Sequence, residues 1–158
     1  MFLRFARKTM VRDLREGGEL VVEGKVAVER PLTLPGSATK CVYYDILNEA
    51  FETGARGRGR KMWVPKHAEQ KITGFFVDDG TGRVWVAAET ATADVRGGKT
   101  ELGVIGKKGN ARYVARLVQE GFVVRVKGLA DKARAAEPGE IVLRPGAKGR
   151  IIVLVKKI

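Results

Sequence analysis

Ile72-Thr73-Gly74-Phe75-Phe76-Val77, then Asp78-Asp79-Gly80-Thr81-Gly82, then Arg83-Val84-Trp85-Val86 is the stretch that decides how this chain is read. Two runs rich in β-branched and aromatic residues flank a turn of Asp and Gly. The runs suit a pleated, half-buried surface. The turn residues accept the positive φ that a tight hairpin demands. Asp78 and Asp79 invite a reading as paired carboxylates or cation ligands. Neighbours in a strand point to opposite faces, however, so turn chemistry accounts for them.

Working toward the N-terminus, a strand-like run from Lys40 to Glu52 carries Val42, Tyr43, Tyr44, Ile46 and Leu47. Gly54-Ala55-Arg56-Gly57-Arg58-Gly59-Arg60-Lys61 follows, and then Met62-Trp63-Val64. Together they predict a long hairpin, about 40–64, with a glycine-rich basic tip. Proline and glycine punctuate a loop from Arg30-Pro31 to Gly36-Ser37, and Glu19–Glu29 alternates as a strand. Leu3, Ala6, Met10 and Leu14 recur at helical spacing, which predicts an amphipathic helix over 1–16 ended by Gly17-Gly18.

Toward the C-terminus, residues 89–108 are polar and irregular. Val114, Leu117 and Val118 share a helical face, so Asn110–Glu120 is expected to be a helix capped by Gly121. Phe122–Gly128, Ile141–Arg144 and Arg150–Lys157 read as strands. The order matches one known arrangement, the five-stranded OB barrel with a helix between its third and fourth strands. The expected fold is therefore all-β with minor α: an OB-like barrel in residues 17–158, an inserted hairpin and an N-terminal helix. Val26, Phe76, Val84, Val86, Val124 and Val126 are its expected core.

Gly24-Lys25-Val26, Pro31-Leu32-Thr33-Leu34-Pro35-Gly36-Ser37, Cys41-Val42-Tyr43-Tyr44, Glu49, Trp63, Phe76–Val84 and Gly121…Val124…Val126-Lys127-Gly128 resemble the signature of the GIDE domain. The resemblance spans roughly residues 17–157. It implies an OB-fold-like domain that, in eukaryotes, accompanies mitochondrial membrane-anchored ubiquitin ligases. Those ligases add transmembrane helices and a zinc-binding RING, and this sequence shows neither. The resemblance thus implies a prokaryotic-type accessory domain without ligase chemistry.

Composition limits the chemistry further. Cys41 is the only cysteine and His67 the only histidine. No intrachain disulfide can form, and structural zinc usually needs four Cys or His ligands. No cofactor is expected, since no P-loop, dinucleotide fingerprint or nucleophile elbow is present. Cys41 and His67 could pair as nucleophile and base, but a cysteine opening an apolar strand is usually a small buried hydrophobe. No catalytic or metal residue is assigned. No apolar run reaches the ~20 residues of a spanning helix, and no secretory signal is seen, which points to the cytoplasm. Scarce Asn and Gln amid abundant Arg, Lys and Glu is a balance found in thermophile proteins.

The formal net charge is +12, which bears on partners and not on fold. Arg56, Arg58, Arg60, Lys61 and Lys66 lie in a stretch without a carboxylate, and so do Arg144, Lys148, Arg150, Lys156 and Lys157. Arginine forks suit phosphate, and Trp63 and Trp85 lie near in sequence for stacking. The expected ligand-binding residues are Arg56, Arg58, Arg60, Lys61, Trp63, Arg83 and Trp85. The expected function is a non-enzymatic interaction module of unnamed partner. Single-stranded DNA or RNA is the alternative ligand. An acidic protein, or an anionic membrane surface met by the N-terminal helix, completes the candidate partners.

Overall fold

A computed structural model describes residues 7–53, 60–105 and 111–158. In chain order the strands are β1 (Glu19–Ala27), β2 (Leu32–Thr33), β3 (Lys40–Cys41), β4 (Tyr43–Thr53), β5 (Lys61–Ile72), β6 (Phe75–Asp78) and β7 (Arg83–Val86). They continue as β8 (Ala93–Arg96), β9 (Lys99–Ile105), β10 (Ala111–Val118), β11 (Val123–Lys132), β12 (Ile141–Arg144) and β13 (Ile151–Lys157).

Five of these strands, β1, β6, β7, β12 and β11, close on themselves because β1 also pairs with β11. All neighbours in the ring are antiparallel except β7 and β12, which run parallel. The ring is an OB-like barrel. β1 serves both of its neighbours: Glu19–Lys25 pairs with β11, and Lys25–Ala27 with β6. Gly24 sits where the partners change over. An ideal Cβ there would fall 2.3 Å from the Asp78 carbonyl oxygen, so only glycine lets β6 come this close. Val22, Val26, Phe75, Val77, Val84, Val86, Val124, Val126 and Leu143 fill the interior. The predicted core residues are all buried. Phe76 is buried too, but outside the main core cluster, where Trp85 meets it edge to face.

The inserted hairpin is real and longer than predicted, running to Ile72. It does not stand alone. The segment expected to be an irregular stretch and a helix, 89–120, forms strands β8, β9 and β10, and the whole of β10 pairs with Tyr43–Ala50 of β4. The result is a second sheet in the order β5-β4-β10-β9. Ala111–Val118 alternates as well as it cycles. Tyr113, Ala115 and Leu117 turn to an apolar cluster with Leu34, Cys41, Tyr44 and Ile46, while Arg112 and Arg116 lie on the opposite face. Pairing with β4 decided between the two periods, and Gly121 closes a turn, not a helix.

The helix predicted over 1–16 is not formed in its described part. Thr9 donates its N–H to the Val21 carbonyl at 2.7 Å, and only Val11–Asp13 makes a 3-10 turn. The Asp79 carboxylate takes the Val11 N–H at 2.7 Å and the Thr81 hydroxyl takes that of Arg12 at 3.2 Å. Those donors are then spent on the β6–β7 turn. Leu14 enters the core while Met10 stays exposed, so the described part offers no continuous apolar stripe for a membrane surface. Among the described residues no helix is long and apolar enough to cross a membrane.

Candidate functional site

Asp78 and Asp79 do turn work, as their sequence implies. Asp78 accepts the Gly80 N–H at 2.9 Å, and Asp79 accepts the Thr81 N–H and hydroxyl at 2.8 and 2.6 Å. Burial tends to raise the pKa of Asp79, but hydrogen bonds from Thr81, Val11 and Gly82 outweigh it and hold the carboxyl below its ordinary value.

Cys41 is 1% exposed among Leu34, Tyr44, Ile46, Ala115 and Leu117, whereas His67 is exposed on β5 opposite Asn48. The thiol is expected to react with a bulky disulfide reagent only after unfolding. A native-state reaction as fast as that of the urea-unfolded chain would contradict this burial.

The seven predicted ligand residues separate into two places. Arg83 and Trp85 lie on the outer side of β7. Phe76 and Trp85 meet edge to face with ring centroids 5.0 Å apart, and the Arg83 guanidinium stands 4.0 Å over the Phe76 ring. Gly74 makes this possible, since a Cβ there would come within 2.1 Å of the indole. Arg83 also reaches Glu29 at 3.5 Å. Two clefts flank the rings. One of about 550 Å³ is lined by Arg12, Arg15, Phe76, Arg83, Pro138 and Ile141. The other, about 660 Å³, is lined by Arg30, Thr73, Gly74, Trp85, Ala136 and Pro138. Phe76 is 4% exposed, so of the two rings only the half-buried Trp85 is open to a ligand.

Trp63 lies elsewhere, nine residues up β5 from its junction with the barrel at Ile72. At a strand rise of ~3.3 Å that is on the order of 30 Å away. Here Phe51 and Trp63 are direct cross-strand partners with centroids 5.2 Å apart, and Phe51 is 40% exposed. From β10, the Arg112 guanidinium stands 4.0 Å over the Trp63 ring, and its Nε donates to Glu49 Oε1 at 3.0 Å. The carboxylate fixes the guanidinium over the ring, and the arginine side chain remains partly exposed. Lower on the same face, Arg116 donates to the Tyr43 hydroxyl at 2.9 Å and to the Val95 carbonyl at 3.0 Å. Burial, the largest influence, pushes the Tyr43 phenol up against the opposing pull of Arg116.

Comparison with family models, curated proteins and solved structures returned no match.

Arg60 and Lys61 are exposed at the start of β5, beside Trp63, while Arg56 and Arg58 lie outside the described residues. Two of the other cations in the carboxylate-free stretches have structural partners. Lys66 pairs with Glu52 across the hairpin. Arg144 is buried against Asp131 and Glu137 and is not available to a phosphate. Arg112 and Phe51 were not among the residues read from the sequence as a site. Period-two reading of Arg112–Val118 would have placed the arginine on a strand face, but its tryptophan partner comes from a register that sequence spacing does not show.

Proposed function

We propose that this chain is a non-enzymatic binding module of GIDE type. What supports the reading is how the residues of the resemblance come together. Leu32, Leu34, Cys41 and Tyr44 form one apolar unit on one face of the second sheet. Tyr43, Glu49 and Trp63 share the other face, and each meets an arginine of β10. A buried cysteine thiol, withdrawn from any dissolved substrate, agrees with a role in binding.

Single-stranded DNA or RNA is the second reading, and one observation favours it. The Arg112 guanidinium fixed over Trp63, beside exposed Phe51 and the cations Arg60 and Lys61, is a stacking platform next to positive charge. Unstacked bases settle on aromatic rings and on guanidinium planes. The outer β6–β7 face with Trp85 and Arg83 is also where OB barrels take oligonucleotides.

Fluorescence anisotropy with labelled oligo-dT and oligo-rU across a salt series tests the reading. Trp63→Ala is expected to weaken binding roughly tenfold, as loss of one stacked base implies, with little change in salt slope. Arg60→Ala with Lys61→Ala should flatten the log–log slope by about 1.4, at about 0.7 per phosphate contact. No binding at low salt would remove the nucleic-acid reading and leave a module for a protein partner.

A further inference from the structure

The outward residues of β1, β8, β11 and β13 border a cleft of about 360 Å³ that neither aromatic centre uses. Arg96, Lys127, Lys148 and Arg150 line it with Glu19 and Asp94, over an apolar patch at Ile152. Both carboxylates are committed. Asp94 holds Arg96 at 3.1 Å, and Glu19 lies 3.7 Å from Lys127. Glu19 Oε1 also accepts the Ala147 N–H at 2.8 Å. It occupies the space that a side chain on Gly146 would need, since a Cβ there would lie 1.9 Å from that oxygen.

That contact fastens the turn leading from β12 to β13. The Gly149 N–H closes it on the Gly146 carbonyl at 2.9 Å, with Gly149 in the left-handed region at φ 73°. Lys148 and Arg150 are therefore carried on a tethered turn, and among the described residues they pair with no carboxylate. Cations that line one cleft repel one another, and an anion with several oxygens relieves that repulsion. Arginine supplies a planar fork for such oxygens and lysine a point charge.

We propose that this cleft is an anion site for a phosphate-bearing ligand, either a free phosphate compound or the phosphodiester backbone of a nucleic acid. The site lies on the sheet that contains the barrel, not on the hairpin sheet of Trp63, and does not depend on stacking there.

Titration calorimetry with inorganic pyrophosphate at low salt, and with oligo-dT across a salt series, tests it on the full chain. Lys148→Ala with Arg150→Ala is expected to weaken pyrophosphate binding at least about tenfold, the worth of one lost charge-assisted hydrogen bond. Arg60→Ala with Lys61→Ala removes the same charge elsewhere and should leave pyrophosphate binding unchanged. A response confined to pyrophosphate identifies a free phosphate ligand. If the ligand is a phosphodiester backbone, the cleft variant flattens the oligo-dT salt slope by about 1.4. Thermal melting of each variant checks that the fold is kept, and Lys148→Ala alone, an exposed turn substitution, should move affinity in the same direction. Failure of both probes to bind, or equal losses in the two double variants, would overturn the proposal.

Discussion

Arg144→Ala is expected to lower the melting temperature at neutral pH by roughly 5–10 °C. Arg144 is 9% exposed and ties one loop together. Its Nε donates to Asp131 Oδ2 at 2.9 Å, its Nη1 to Glu137 Oε2 at 2.8 Å, and its Nη2 to the Lys132 carbonyl at 3.1 Å and to Glu137 Oε1. Alanine would leave Glu137, itself mostly covered, without its cation. The expected cost is about 2–3 kcal/mol, below the full penalty for a deeply buried pair because solvent reaches Asp131.

The pH dependence separates this account from simple loss of packing. Hydrogen bonding to Arg144 is the first cause that holds both Glu137 and Asp131 below their ordinary values of 4.5 and 3.8. A depressed carboxyl stabilises the fold above its unfolded pKa, and that contribution is lost as pH falls through the folded pKa. The gap between wild type and variant should therefore be widest at neutral pH and close steadily below about pH 4. Melting curves from pH 7 to pH 3 would show it. A gap that does not change with pH would assign the loss to packing. The same loop holds Ala136 at φ 73° on the wall of the Trp85 cleft.

Gly24→Ala should be the second large effect, a loss of about 3 kcal/mol in urea denaturation. The new Cβ would fall 2.3 Å from the Asp78 oxygen, 2.6 Å from its carbonyl carbon and 2.9 Å from the Asp79 nitrogen. All three are backbone atoms, so no side chain can turn aside. Relief requires moving β6 or the turn after it, on which Val11 and Arg12 also depend. Gly80→Ala provides the comparison. Gly80 has φ 88° and open space around it, so its cost is backbone strain alone, about 1–2 kcal/mol. Equal stability of the two variants would contradict the close approach of β1 and β6.

The barrel was legible because its signals are local. Residues 72–86 state a hairpin through alternation and turn chemistry, and the strand order then leaves few ways to close. The interior valines follow from the same alternation. Residues 111–118 were not legible in that way, since Val114, Leu117 and Val118 satisfy a helix while Tyr113, Ala115 and Leu117 satisfy a strand. Eight backbone pairings with β4, from Ala50 to Tyr43, settled the choice. They bridge positions more than sixty residues apart, which no window on the sequence joins.

The two aromatic centres divide in the same manner. Arg83 and Trp85 were found together because they are near neighbours on one strand and alternate to one face. Trp63 was visible as an aromatic beside cations, but Arg112 over its ring was not. Local signals along the chain specify a basic, β-rich protein with an OB-like strand order and a turn at 78–82. Tertiary structure alone decided which cations remain available for binding. Arg144 is buried by two carboxylates, Arg112 is fixed over a ring by Glu49, and Lys148 and Arg150 are left facing a cleft. The reason is physical: a charge is neutralised or left open by neighbours within a few ångströms, and strand register, not sequence spacing, chooses those neighbours.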